Sequence, residues 1–165
     1  MITASVVTFH TSYVDLKRLL DCVLHSSIDI FFIIDNSSND SLREFASLSD
    51  KIVYIHSDNL GFGSGHNIAI RRSIELGAQY HAVINPDIYW EGDVAKLLAG
   101  FMDKQEDCGL VMPKVLYPNG DIQYLCKLLP TPMDLFGRRF IPFKAYQEKH
   151  DAWFELHRTG YAKVM

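Results

Sequence analysis

The chain has 165 residues, 48% of them apolar and 22% charged, with a net charge of -4, which suits one core and a single soluble domain rather than two. The negative charge argues against non-specific nucleic-acid binding, and no apolar run approaches the length needed to cross a bilayer. Charge is unevenly spread: residues 1–126 hold nine Lys and Arg against sixteen Asp and Glu, whereas residues 127–165 hold seven against four. The basic tail reads most simply as solvated charge, the sharper alternative being contact with an anionic acceptor or membrane surface.

Ile2 to Phe9 is rich in β-branched and aromatic residues without strict alternation, the pattern of a central strand covered on both faces of a parallel sheet. Because this strand-like run opens the chain with no basic and then apolar leader, the cytoplasm is the expected compartment. From Val14, Leu16, Leu19, Leu20, Val23 and Leu24 recur at helical spacing, with Thr11 or Ser12 as cap and Ser26-Ser27 as exit. Ile28 to Ile34 reads as a second buried strand, ending at Asp35-Asn36-Ser37-Ser38-Asn39-Asp40, six polar residues that favour turns and caps. A short helix from Ser41 to about Leu48 and a strand from Ile52 to His56 follow, then the polar, glycine-rich run Ser57 to Asn67. Ile68 to Leu76 reads as a helix closed by Gly77, His81 to Ile84 as a fourth strand ending at Asn85-Pro86-Asp87, and Asp93 to Asp103 as a helix. Leu110 to Met112 reads as another strand. Val115 to Tyr117 and Ile122 to Leu125 flank Pro118-Asn119-Gly120, a hairpin signal because Asn-Gly tolerates positive φ.

The alternation predicts an α/β fold: a doubly wound, mostly parallel sheet with helices on both faces. Beyond Leu125 periodicity weakens around Pro130, Pro132 and Pro142. The chain stops at Val164-Met165 within a new apolar run, so the C-terminal part is expected to be truncated. The organisation expected is a core over 1–126 and the start of a further region over 127–165. Cys22, Cys108 and Cys126 are widely spaced and odd in number, which fits packed thiols rather than a disulfide frame or zinc site. The seven histidines form no HExxH pattern, which disfavours a zinc hydrolase.

In open α/β sheets ligands settle outside the carboxyl ends of the strands, and three unusual clusters fall at such ends. Asp35 offers an acceptor for a pyrimidine N–H or a ribose hydroxyl; taken alone, Asp-Asn-Ser-Ser is more often a turn. The glycines of the second cluster let backbone approach a ligand closely, and the amides opening the next helix suit an anion; a tight loop without ligand is the alternative. The third sets Asn85 and Asp87 two positions apart, on one side of the chain if it stays extended, oxygen donors of the kind that suit Mg²⁺ or Mn²⁺; an Asn-Pro-Asp turn is the plainer reading. The glycines do not fit a dinucleotide fingerprint after the first strand, and neither a P-loop nor a G-x-S-x-G elbow is present.

Together and in order, Asp35-Asn36-Ser37-Ser38-x-Asp40, Asn59-x-Gly61-Phe62-Gly63-x-Gly65-x-Asn67 and Asn85-Pro86-Asp87 resemble family 2 glycosyltransferases of the GT-A fold. Pro113 to Gln123, Leu129-Pro130-Thr131-Pro132 and Arg138-Arg139 look like the bacterial rhamnosyltransferase-like branch, and the likeness covers about residues 2–140. It implies a transferase of polysaccharide or cell-envelope biosynthesis, inverting and assisted by Mg²⁺ or Mn²⁺. The donor would be a nucleotide-diphospho-sugar and the acceptor a saccharide or lipid-linked glycan, with peripheral contact at the inner face of the membrane left open. Thr8 and Phe9 would line the base pocket and Asp35 read the base, with Asn36, Asn59, the Gly61 to Asn67 loop (Gly61, Gly65, Asn67) and Asn85 around the nucleotide-sugar. Asp87 would carry the metal, Asn85 standing where many relatives have the first aspartate of a D-x-D. Gly120, Gln123, Arg138 and Arg139 would lie toward the acceptor.

The family's later Glu-Asp pair, which supplies the general base, has no counterpart after residue 127; Glu106-Asp107 is the only such pair. A binding-only fragment or degenerate paralogue is therefore the main alternative. A sugar-nucleotide nucleotidyltransferase is a second, disfavoured because Thr8 to Tyr13 holds neither glycine nor Lys or Arg.

Overall fold

The computed structural model describes residues 1–125, 127–129, 131 and 150–157. Four strands, β1 (Ile2–Thr8), β2 (Ile30–Asp35), β3 (Ile52–His56) and β4 (Tyr80–Ile84), form one sheet in the order β3-β2-β1-β4, with every pair parallel. Parallel neighbours need crossovers. These are α1 (Tyr13–Leu24), a 3-10 helix over Ser41–Leu48 and α2 (Phe62–Glu75); α3 (Val94–Met102) follows β4. The run of β-branched and aromatic residues in β1 and β2 reflects burial on both faces. Ala4, Val6, Phe31 and Ile33 pack with Leu16, Leu19, Leu20 and Val23 of α1 and with Leu42 and Phe45, whereas Val7, Phe32 and Ile34 pack with Ala69 of α2.

Helix α1 begins where its cap requires: the Ser12 hydroxyl accepts from the Val14 amide at 3.2 Å. Helix α2 departs from expectation. It starts at Phe62 rather than Ile68, so Gly63, Gly65 and Asn67 lie in its first two turns and not in a loop. Each helical glycine costs about 1 kcal/mol against alanine, but here close packing outweighs propensity. A Cβ on Gly65 would stand 2.7 and 3.0 Å from the two Cγ atoms of Val7.

One further reading is corrected and the hairpin is found where expected. No strand forms at Leu110 to Met112, and Leu110 is 89% exposed, so its apolar character has no neighbouring strand to bury against among the described residues. In the Pro118-Asn119-Gly120 hairpin, which joins β5 (Val115–Leu116) to β6 (Ile122–Gln123), only Gly120 has positive φ (88°). The Gly120 amide donates to the Tyr117 carbonyl at 2.9 Å, and Asn119 uses its side chain on Asp121 instead.

The chain divides into two compact units, 1–111 and 112–165; the sequence reading set its boundary at 126/127. Within the second unit, Lys127 pairs with Glu155 at 2.9 Å and the Leu128 amide donates to the Phe154 carbonyl, joining the stretch after the hairpin to a helical turn at 150–154. Among the described residues no helix is long and apolar enough to cross a membrane.

Candidate functional site

Because every strand is parallel, the loops after β1, β2, β3 and β4 all leave from one edge of the sheet. The chain steps outward from β1 to β2 and β3 and then crosses back to place β4 on the other side of β1, so the reversal of strand order falls between β1 and β4. A crevice outside the carboxyl ends at such a reversal is where open α/β sheets take their ligands. The register aligns the ends: Thr8 is level with Asp35 and Asp35 with His56, while Ile84 is level with Val6.

Asp35 closes β2 on the face shared with α1, fully buried. Its Oδ1 accepts from the Thr8 hydroxyl at 3.0 Å and the Ser37 amide at 3.1 Å, and its Oδ2 accepts from the Tyr54 hydroxyl at 2.8 Å. Burial alone would raise its pKa. The hydrogen bonds from Ser37, Tyr54 and Thr8 outweigh burial and hold the carboxyl below its ordinary range, while burial and the same carboxylate push the Tyr54 phenol up. A carboxylate has about four lone-pair positions, and the Ser37 side chain adds to the donors above, so Asp35 accepts from a ligand only if a donor such as the Tyr54 hydroxyl swings away.

The loops beyond are tied to one another. The Asn36 amide donates to the Thr8 carbonyl, the His10 amide to the Ser37 hydroxyl, the Ser57 hydroxyl to Asn36 Oδ1, and His56 Nε2 lies 2.9 Å from the Ser37 carbonyl. His10 holds φ 51°, a conformation that costs a non-glycine residue energy and gathers at ligand sites. It turns the chain just after Phe9, whose ring is 56% exposed.

The expected site residues therefore separate into two sets. Thr8, Asp35, Asn36 and Gly65 are buried, and their polar atoms or their lack of a side chain are already used by the protein. Phe9, Asn59, Gly61, Asn67, Asn85 and Asp87 are exposed. Gly61 caps α2 at φ 89°, its amide bonded to Asn59 Oδ1 at 3.2 Å. The amides of Phe62, Gly63 and Ser64 precede the first helical bond, Gly65 to Gly61, and leave donors for an anion.

Asn85 and Asp87 do not lie on an extended chain. The Ile88 amide reaches the Asn85 carbonyl at 3.3 Å, closing a turn with Pro86 and Asp87 at its centre. Proline favours this because its fixed φ suits the second position of a turn. Among the described residues no three His, Cys, Asp or Glu side chains gather to hold a metal, so a cation here would rest on Asp87, with Asn85 beside it, and on oxygens of its substrate. Such sparse protein ligation is compatible with Mg²⁺. Gly120 and Gln123 belong to the second unit, and Arg138-Arg139 lies outside the described residues.

Sequence reading missed Tyr54 and a polar nest under α2. The Ser5 hydroxyl lies 2.8 Å from both His66 Nδ1 and His81 Nε2, and His81 Nδ1 lies 2.9 Å from the Thr3 hydroxyl and 2.8 Å from that of Ser73. Serine has one proton to give, so at least one ring must present an N–H to it. Burial lowers the pKa of both rings, that of His81 to about 4, with His66 adding to the effect. His66 Nε2 is buried without a partner among the described residues. The only signal in the sequence was the presence of Thr3 and Ser5 among the apolar residues in the first half of β1.

The sequence profile of Glycosyl transferase family 2 matches residues 5–161. The chain is 30% identical over 118 residues to the low-salt glycan biosynthesis hexosyltransferase Agl10 of Haloferax volcanii, covering 70% of this chain and 37% of that protein. The crystal structure of S. aureus TarS superposes with a TM-score of 0.52 at 15% identity, covering 71% of this chain and 24% of that one, and shows a shared fold. The chain thus spans about a third of the length of the first and a quarter of the second. With the profile running over nearly its whole length on a GT-A-like parallel sheet, the chain belongs to glycosyltransferase family 2.

Proposed function

We propose that this chain binds a nucleotide-diphospho-sugar at the carboxyl edge of its sheet and serves the donor side of an inverting, metal-assisted transfer to a saccharide or lipid-linked acceptor. Family membership implies a nucleotide-sugar donor and a glycan acceptor; the finer reading rests on the loops that carry the exposed set leaving one edge of the sheet, the edge that holds the strand-order reversal between β1 and β4. In it, Phe9 offers an apolar ring to the base, and the α2 amides with Gly61 receive the diphosphate. Thr8, Asp35 and Asn36 hold the loops in place, and Asp35 would read the nucleoside once the Tyr54 hydroxyl releases it. Asp87, with Asn85, would hold Mg²⁺ or Mn²⁺, which supplies neutralisation of charge on the leaving diphosphate.

The rhamnosyltransferase-like branch is supported by Pro113 to Gln123, and envelope polysaccharide synthesis at the inner membrane face is the setting it suggests. Inversion needs a base near the incoming hydroxyl, and no Glu-Asp pair follows residue 127, which favours the reading that this chain by itself binds donor better than it turns it over. Calorimetric titration with UDP, dTDP and GDP, with and without Mn²⁺, tests the proposal. Binding should require metal, and Asp87→Ala should weaken it at least tenfold, about 1.4 kcal/mol. Equal binding by both proteins would remove Asp87 from the site, and no binding of any nucleotide would end the proposal.

A further inference from the structure

Along the flank of α1, the helix and the segment leading from Asp87 to α3 form an open groove of about 330 Å³, lined chiefly by Arg18, Asp21, Cys22, His25, Tyr89 and Trp90. Its position follows from the connections. Helix α1 starts beside the carboxyl edge and runs back along the strands, so His25 stands about 18 Å along the axis from Tyr13. The Ser27 amide, just past its end, donates to Asp93 Oδ1 at 3.1 Å, and Asp93 caps α3. Residues 88–92 therefore descend the flank of α1, away from Asp35.

The lining is built by specific contacts. The Arg18 guanidinium lies 3.3 Å from the centre of the Tyr89 ring. The Cys22 thiol donates to the Trp90 carbonyl at 3.2 Å, and the Trp90 amide lies 3.4 Å from the same sulfur, which fixes the loop to the helix. His25 Nδ1 lies 2.7 Å from the Asp21 carbonyl. A carbonyl only accepts, so Nδ1 carries the proton and Nε2 of the neutral ring is left as an acceptor. The Trp90 indole N–H is buried with no partner among the described residues.

The groove thus presents a donor (Arg18) and acceptors (the Asp21 carboxylate, His25 Nε2), one fixed charge of each sign, with Tyr89 and Trp90 in its lining. A phosphate would meet Asp21, and an organic cation would meet Arg18 on the Tyr89 face. A sugar ring carries no net charge, has hydroxyls that both donate and accept, and has C–H faces that lie against aromatic rings. Ligand pockets span about 300–1,000 Å³, and this one is of a size for a single small ring.

We propose that this groove binds a neutral saccharide unit, at a site separate from the nucleotide edge. That the unit belongs to the glycan being extended rests on the transfer function proposed above; the binding itself does not. The test is ¹H–¹⁵N NMR of the chain titrated with methyl glucoside, methyl mannoside and methyl rhamnoside to high millimolar concentration, with sodium phosphate as the anionic control. Trp153→Phe assigns the indole signal of Trp90. At least one glycoside should shift that signal saturably and phosphate should not. Asp21→Ala and Tyr89→Ala should each weaken the response about tenfold or more, while UDP with Mn²⁺ still binds in the presence of saturating glycoside. No shift with any glycoside, a shift with phosphate, an unchanged response in both variants, or displacement of glycoside by UDP would each overturn the proposal. Loss of UDP binding with the glycoside response intact would count against the transfer function alone.

Discussion

Gly65→Ala separates a packing glycine from a ligand-binding one. The new Cβ would stand 2.7 Å from Val7 Cγ2 and 3.0 Å from Cγ1, and Val7 is a buried, β-branched residue in a central strand with little freedom to turn. Overpacking of this kind costs about 1–3 kcal/mol, against a gain of about 1 kcal/mol from replacing a helical glycine with alanine. The expected net loss is about 0–2 kcal/mol, read as a lowered urea midpoint with unchanged slope. In a Val7→Ala background both Cγ atoms are gone and the nearest remaining atom, Asn36 Nδ2 at 3.5 Å, is an ordinary contact. There the same substitution should be neutral or stabilising by up to about 1 kcal/mol. The double-mutant cycle should give a coupling of about 1–3 kcal/mol. Gly63, with nothing within 4 Å of a built Cβ, serves as the control and should tolerate alanine. A raised midpoint for Gly65→Ala in the native background, or no coupling to Val7, would refute the claim that contact with β1 is what requires glycine.

Three further outcomes follow from the two polar nests and the exposed rim. His81 has its pKa lowered to about 4 from 6.5, so the unfolded chain takes up its proton first; stability should be full above pH 6.5 and fall as pH drops toward 4. The loss should reach about 3 kcal/mol, and a flat urea midpoint across that window would contradict it. Tyr54→Phe removes a donor to a buried carboxylate and should cost about 1.5–3 kcal/mol near neutral pH. Because the stabilisation from Asp35 exists above the ordinary carboxyl pKa of 3.8 and is lost as pH falls through its lowered value, the penalty should shrink at pH 3. An undiminished penalty there would show that Tyr54 acts through packing. Phe9→Ala should weaken nucleotide binding about tenfold in calorimetry while leaving the urea midpoint unchanged; a shift in the midpoint instead would mark the ring as structural.

Local sequence determined the order of elements and the placing of three polar clusters at strand ends. Hydrophobic periodicity is a property of neighbouring residues: Leu16, Leu19, Leu20 and Val23 mark one face of α1, and the apolar runs of β1 and β2 mark burial on both sides. What only tertiary structure decided are matters of distant contact. Helix α2 extends back to Phe62 because Gly65 fits against Val7, a residue far away in sequence. The parallel register of β2 and β3 brings the Tyr54 phenol to Asp35. The chain turns at Pro86-Asp87 just past Ile84, where β4 stops pairing with β1, so Asn85 and Asp87 leave the extended arrangement their spacing suggested. His66 and His81 meet at Ser5 only because α2 packs over the junction of β1 and β4, and no period in a one-dimensional pattern encodes which two strands will become neighbours.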